Sequence, residues 1–549
     1  MTIIVLPDLY EATISDIQDG LENGHFKSTH LVKAYLARIE EVNLKGAALH
    51  AVSEINATAL RRAEDLDTER SERGSRGPLH GIPILIKDNI ATAHEIGTTA
   101  GSFALEGSVV PRDAFVISKL REAGAILLGK ASMAEWASFR GESVPNGFSA
   151  RGGQTTAPYY PNLDPSASSS GSAVASAIGL AAATLGSETT GSIVLPASRN
   201  NIVGFKPTLG LVSRSGVIPI SPHQDTVGPL ARCVADAALL LSVIIGNDPN
   251  GACDIGLPPP QEWPDYTRAL NAGALRGKRL GVPRALFQDH PVINDAFQKS
   301  LDIFRDLGAH VIDPVDFPSA HELKQSKAED IVLTVDFKPA LNKYLAELVE
   351  VPTGVRSLAD VIKFNLAHAD CRITLTVLYG SVPRMLKFFA RLLASEASQI
   401  DETYYAALAE NWELGRTRGI DAVLQAHQLD ALILPTDSAR IVQCFLWFIH
   451  ALALLGYATK PTGVSGYPII SVPLGHYPQH VQPIPLIPAP LHSSAPNMPF
   501  GIAFIGTAYS EYKLIGLAYA FEQATKARLR TRAYPSATPV TQLKDVISQ

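Results

Sequence analysis

Ser166-Ala167-Ser168-Ser169-Ser170-Gly171-Ser172-Ala173-Val174-Ala175-Ser176-Ala177 leads, nine residues on, into Gly186-Ser187-Glu188-Thr189-Thr190-Gly191-Ser192-Ile193. Whether this stretch is loose or packed determines the architecture. Serine, glycine and alanine at such density mean one of two things: a flexible linker, or backbone packed too closely to admit large side chains. Flexible linkers are polar throughout. Ala173 to Leu185 is instead alanine-rich, with good helix propensity, and uncharged. A helix without a charged face has none to turn toward water, so this run is expected as a helix buried in a large core.

Upstream, Gly81-Ile82-Pro83-Ile84-Leu85-Ile86 is a short apolar run behind a turn-rich stretch, which predicts a buried strand. Ala114 to Ala123 predicts a helix stopped by Gly124, and Ala125-Ile126-Leu127-Leu128 a second buried strand. Ser28 to Val42 places Leu31, Val32, Tyr35, Leu36 and Ile39 at the spacing of a surface helix. Strands alternating with helices imply an α/β fold, a central mixed β-sheet covered by helices on both faces.

Downstream, Tyr509 to Arg528 returns to helical periodicity. Ile441 to Tyr457 is apolar except for Gln443 and His450. It is near the lower limit of the ~17–25 residues of a membrane span, and a buried core helix is expected there. Between Pro473 and Pro499 proline recurs every few residues. Proline opposes helix and sheet alike, so that segment is expected as a surface loop.

Composition agrees with one large core. Of 549 residues, 46% are hydrophobic and only 18% charged, below the usual ~25%. A long, lightly charged chain needs a high ratio of interior to surface, which several small modules do not provide. The net charge of −6 gives no basic field for a phosphate backbone, so no nucleic-acid partner is expected. Cys233, Cys253, Cys371 and Cys444 show no C-x-x-C spacing, so neither a disulfide framework nor a thiolate metal site is implied. The first residues lack the cationic and apolar segments of a signal peptide, and a soluble, cytoplasmic protein is expected.

Several chemical motifs fail on inspection. Gly124 to Lys130 matches G-x-x-x-x-G-K, but Ala131 stands where a phosphate-binding loop needs Ser or Thr. No H-E-x-x-H and no G-x-S-x-G occurs. What remains is a lysine and serines. Lys87 follows the buried run Ile84-Leu85-Ile86, and a lysine drawn into low dielectric becomes a neutral base near pH 7. Its plainer reading is an ion pair with Asp88. Ser192 ends a small-residue turn whose successive N–H groups can converge on a developing oxyanion.

Together these segments carry a resemblance. Gly81-Ile82-Pro83 leading to Lys87-Asp88-Asn89, Ser168-Ser169-Ser170-Gly171-Ser172-Ala173, and Glu188-Thr189-Thr190-Gly191-Ser192-Ile193 resemble the amidase signature family. Gly204-Phe205-Lys206-Pro207-Thr208 and Gln224-Asp225-Thr226-Val227-Gly228-Pro229 flank them. Asn146 to Gln154 looks more like the peptide-amidase branch than the fatty-acid-amide or tRNA-amidotransferase branches. The resemblance is dense from about 75 to 245 and continues through Gly466-Tyr467-Pro468 and Phe500 to Phe504, implying one domain over residues 1–549.

The resemblance implies a Ser–cis-Ser–Lys triad: Ser192 as nucleophile, Ser168 as proton relay, Lys87 as base. It also implies an oxyanion hole from the backbone N–H groups of Thr189, Thr190, Gly191 and Ser192. The implied activity is hydrolysis of a small-molecule or peptide carboxamide through an acyl-enzyme, with no cofactor and no metal. An amidotransferase-type subunit releasing ammonia to a partner and a non-catalytic protein on the same scaffold are the alternatives.

The chain departs from the family at Ala167 and Thr190, where Gly, and Gly or Asp, are common. It also departs at about 384–398, 441–457 and 473–499, where the apolar Cys444 to Ile449 is either an unusual pocket wall or a stretch such as a retained intron that the mature protein lacks.

Overall fold

The apolar runs read as strands become neighbours in one sheet. In the computed structural model, which describes residues 5–141, 144–248, 263–288, 290–368, 389–437, 458–486 and 490–547, eleven strands form it. In chain order they are β1 (Val52–Ile55), β2 (Pro83–Lys87), β3 (Ile126–Ala131), β4 (Ala183–Glu188), β5 (Val203–Lys206), β6 (Thr226–Ala231), β7 (Arg279–Gly281), β8 (His310–Ile312), β9 (Ala431–Pro435), β10 (Ile469–His476) and β11 (Pro499–Ile505). Their order across the sheet is β1-β3-β2-β4-β6-β5-β10-β11-β9-β7-β8.

The sheet is mixed. β2 runs parallel to both β3 and β4, with Ile86 opposite Leu185. β4 then pairs antiparallel with β6, Glu188 opposite Thr226. Every residue of β2, β3, β4 and β6 is buried. A strand buried on both faces must be covered on both faces, which explains why β2 is apolar up to Lys87 instead of alternating. The parallel β2 and β4 end side by side at Lys87 and Glu188, and open sheets build their sites beyond such carboxyl ends.

The small-residue stretch is buried, as expected, but its helix is shorter. Ser170–Ala177 is helical, all eight residues buried, whereas Ala183 to Leu185 belong to β4. The break is at Gly179, where φ is +66° and an added Cβ would lie 2.0 Å from the Leu9 carbonyl oxygen. Leu180 N–H closes the helix end on Ala175 O at 2.9 Å, a glycine-dependent C-terminal turn. Propensity alone does not see that turn, because alanine is as acceptable in a short buried strand once packing dictates it.

The proline-rich segment also differs from its expectation. β10 extends through Pro473, β11 begins at Pro499, and Ile484–Pro485 pairs with His492–Ser494 as a small hairpin. β5 pairs only Ile469 to Ser471, so beyond Ser471 β10 has one neighbour, and the register shifts between Pro473 and Gly475. The proline without an N–H therefore falls at a bulge with a free edge, where a sheet tolerates it. The apolar 441–457 stretch lies outside the described residues. Among the described residues no helix is long and apolar enough to cross a membrane. Of the divergent 384–398 segment, Ala390–Ala397 is a helix, tied by Lys338 Nζ to the Glu396 carbonyl at 2.6 Å.

Candidate active site

Lys87 ends β2 with no solvent exposure. Its Nζ lies 2.8 Å from Ser168 Oγ and 2.9 Å from the Ser187 carbonyl oxygen of neighbouring β4. The ion pair with Asp88 that a strand-end lysine suggests does not form. Asp88 instead accepts from Thr99 Oγ1 at 2.5 Å and from Gly101 N–H at 3.0 Å, and it faces the buried Lys130. Burial pushes the Lys87 amine down to about 7, against the upward pull of Glu188 and Asp225. Lys130, the lysine of the failed phosphate-loop motif, is a buried residue whose Nζ donates to Ile90 O and Thr98 Oγ1.

Ser168 is brought to Lys87 by the buried helix behind it. The Ala167–Ser168 peptide bond is cis, despite Ala167 standing in place of the common glycine. Ser168 O accepts from Ala134 N–H at 3.1 Å, and Ser170 Oγ donates to Ser166 O at 2.5 Å. Small side chains then let the helix sit directly on backbone: Gly171 N–H reaches Ser132 O at 2.9 Å, and a Cβ on Gly171 would lie 2.3 Å from Ala51 O. The hydroxyls of Ser172 and Ser176 donate to the sheet carbonyls of Leu185 and Leu230. The serines that suggested a linker are spent on buried acceptors.

Ser192 follows the end of β4, half-buried, in a turn whose Gly191 has φ +82°. Its carbonyl accepts from Ser169 N–H at 3.2 Å, which binds the two serine segments together. Lys87 and Ser168 thus meet directly, and Ser192, 105 positions from Lys87 in the chain, is tied beside them through the Ser169 backbone.

The four N–H groups expected at the oxyanion do not share one state. Gly191 N–H is already bonded to Glu188 Oε1 at 2.8 Å. The Thr190 and Ser192 N–H groups donate to no protein acceptor among the described residues.

Several supporting residues went unread in the sequence. Glu188, 1% exposed, also accepts from Ile193 and Val194 N–H at 2.7 and 3.0 Å. Asp225 takes Thr189 Oγ1 at 2.6 Å on one oxygen and the Ile220 and Ser221 N–H groups on the other. Glu329, from the Ala328–Glu347 helix, accepts from Thr190 Oγ1 at 2.5 Å and Gln224 Nε2 at 3.0 Å, and burial pushes its carboxyl up. Glu188 and Asp225 stand inside the quoted motifs, so their positions were visible but not their partners. Glu329 had no signal.

The Amidase family model matches residues 30–515. A putative amidase of Arthroderma benhamiae is 40% identical over 96% of this chain and 88% of its own length. The native peptide amidase of Stenotrophomonas maltophilia, solved by X-ray, is 39% identical with a TM-score of 0.82, covering 97% of this chain and 99% of that one. A glutamyl-tRNA(Gln) amidotransferase subunit of Thermoanaerobacter pseudethanolicus is 31% identical over 96% of this chain and all of its own length. The motifs, the mixed sheet and these likenesses agree: the chain belongs to the amidase signature family, in its peptide-amidase-like branch, and is a hydrolase acting on amides.

Proposed function

We propose that the chain hydrolyses the terminal carboxamide of a peptide or a similar small amide through an acyl-enzyme on Ser192. The observation that supports this most is Lys87 Nζ, buried and 2.8 Å from the hydroxyl of cis-linked Ser168. A lysine with its amine near 7 is neutral in half its copies at that pH, and a neutral amine accepts a proton.

In the acylation step Ser192 Oγ attacks the amide carbonyl carbon. Its proton passes to Ser168 Oγ as the Ser168 proton passes to Lys87 Nζ. The carbonyl electron pair moves onto oxygen, where the N–H groups of Thr189, Thr190 and Ser192 stabilise it; one such donor contributes about 10²–10³ in turnover. The C–N bond then breaks as the relay runs backwards and returns the proton to nitrogen, releasing ammonia or an amine. Water attacks the ester by the same relay, and the carboxylate leaves. The peptide amide is favoured as substrate by likeness to the Stenotrophomonas enzyme.

A fluorophosphonate probe tests the nucleophile. Wild type is expected to label, Ser192→Ala not at all, and Lys87→Ala far more slowly. Ammonia release from a C-terminal peptide amide is expected to exceed that from glutamine. Labelling that persists in Ser192→Ala would remove the assignment. Glutamine turnover that appears only with a second subunit would favour the ammonia-delivering alternative.

A further inference from the structure

The turn bearing the nucleophile has to be stiff, yet from Thr189 to Ser192 it carries only small side chains before the buried Ile193 and Val194. Three of its amides, those of Gly191, Ile193 and Val194, converge on a single side chain, the Glu188 carboxylate, at 2.7–3.0 Å. Glu188 is the last residue of β4, so the carboxylate folds forward over the turn that its own strand leads into. We propose that Glu188 is a positioning residue for the reaction, acting through the Ser192 turn and through Lys87. Its carboxylate withdraws the Gly191 N–H from the oxyanion hole, aims those of Thr190 and Ser192, and sets a fixed negative charge opposite the base. This rests on the triad reading above.

Two features require a carboxylate and not merely a polar side chain. Three donors need acceptor capacity on both oxygens: Oε1 takes Gly191, and Oε2 takes Ile193 and Val194. An amide side chain presents an N–H₂ group on one side, which would face a donor with a donor. The second feature is charge. Lys87 from β2 and Lys206 from β5 both feel Glu188, and Asp225 is the other anion that Lys87 feels. The remaining neighbours of the Lys87 amine are neutral, the Ser168 hydroxyl and the Ser187 carbonyl. Glu188 therefore opposes the burial that drives Lys87 neutral.

The test is the pH dependence of kcat/KM on a peptide amide for wild type, Glu188→Gln and Glu188→Asp, with probe labelling in parallel. Activity requires neutral Lys87, so it rises through an acid limb. Losing the Glu188 charge makes the lysine easier to deprotonate, and the limb in Glu188→Gln moves to lower pH by roughly 0.5–1 unit. Its kcat is expected to fall at least ~10-fold as the turn loosens. Glu188→Asp keeps the charge but shortens its reach, so kcat falls while the limb stays. This variant also serves if the glutamine variant does not fold.

A Glu188→Gln limb at the wild-type position, whatever its rate, overturns the proposal, as does full kcat in Glu188→Asp. A wild type that labels with the probe but shows no acid limb fails the triad reading instead, so the two failures are told apart.

Discussion

At Lys87 two demands oppose one another. The amine is fully buried, which disfavours its charge, yet the proposed mechanism needs it basic enough to take a proton from Ser168, 2.8 Å away. Its value falls from 10.5 to about 7 on folding. Between those limits the unfolded chain holds a proton that the folded chain has released. Folding stability contributed by this residue therefore rises with pH across that window and is least below about 7.

Lys87→Met removes the charge at similar length, leaving Ser187 O satisfied by Ser169 Oγ. The variant is expected to be inactive and, near pH 7, more stable than wild type by roughly 1–3 kcal/mol net of the lost hydrogen bonds. Thermal melts at pH 6.5 and pH 10 check this: the gap should narrow toward pH 10, and a variant less stable at both would contradict it. The burial of Lys87 was legible in the apolar Ile84-Leu85-Ile86 run before it. The proposed triad was legible only through resemblance, because the spacing of Lys87, Ser168 and Ser192 in the chain says nothing of how near they lie in the fold. The role of Glu188 was not legible at all, since three amides converging on one carboxylate is a property of the turn's path.

Among the elements, the Ser170–Ala177 helix bears most directly on the site, because Ser168 stands two residues before it, ahead of the N-cap Ser169. Its seating depends on Gly171. An added Cβ would lie 2.3 Å from Ala51 O and 2.5 Å from both Ser132 N and Ser132 O, all backbone atoms held in or beside strands. Gly171→Ala therefore displaces the helix instead of a side chain. A loss of about 1–3 kcal/mol is expected, seen as a lowered midpoint in urea. An activity loss larger than that destabilisation should accompany it, since Ser168 moves relative to Lys87.

The Ala328–Glu347 helix reaches the same turn from the other side through Glu329 and Thr190. Thr190→Val keeps the N–H and the shape but removes the hydroxyl. It is expected to lower kcat several-fold and leave the limb near pH 7 in place, as a pH–rate profile would show. Helix and strand identities were legible where an apolar run had a defined stop, as at Gly124. They were misread where a tertiary contact decided. Gly179 ends one helix against Leu9 O, and a free sheet edge admits Pro473.

On the scale of the whole chain, segments from both ends of the sequence close on the C-terminal end of the Ser170–Ala177 helix. Arg38, fully buried, donates to Ile178 O and Gly179 O at 2.8 and 2.6 Å, and to Thr541 O at 2.7 Å. Arg528 donates to Ala177 O and Asn201 O, each at 2.8 Å, and to Glu11 at 2.9 Å. Cations are favoured at a helix C-terminus, and here they also satisfy carbonyls that water does not reach. Low charge overall and a large core, read from composition, are consistent with this, but no composition discloses that residues 38 and 528 share one helix end.

The consequence is that the chain should not divide into an N-terminal catalytic unit and a dispensable C-terminal part. In Arg528→Ala two buried carbonyls lose their donor, at about 1–3 kcal/mol each. The midpoint is expected to fall by several degrees in one transition, the same by far-UV circular dichroism and by tryptophan fluorescence. Arg528→Lys keeps the charge but not the planar fork that serves three acceptors at once, so it should recover only part of the loss. Two separated transitions in Arg528→Ala, with amidase activity surviving the first, would instead mean that residues near the Ser170–Ala177 helix fold without the C-terminal segment.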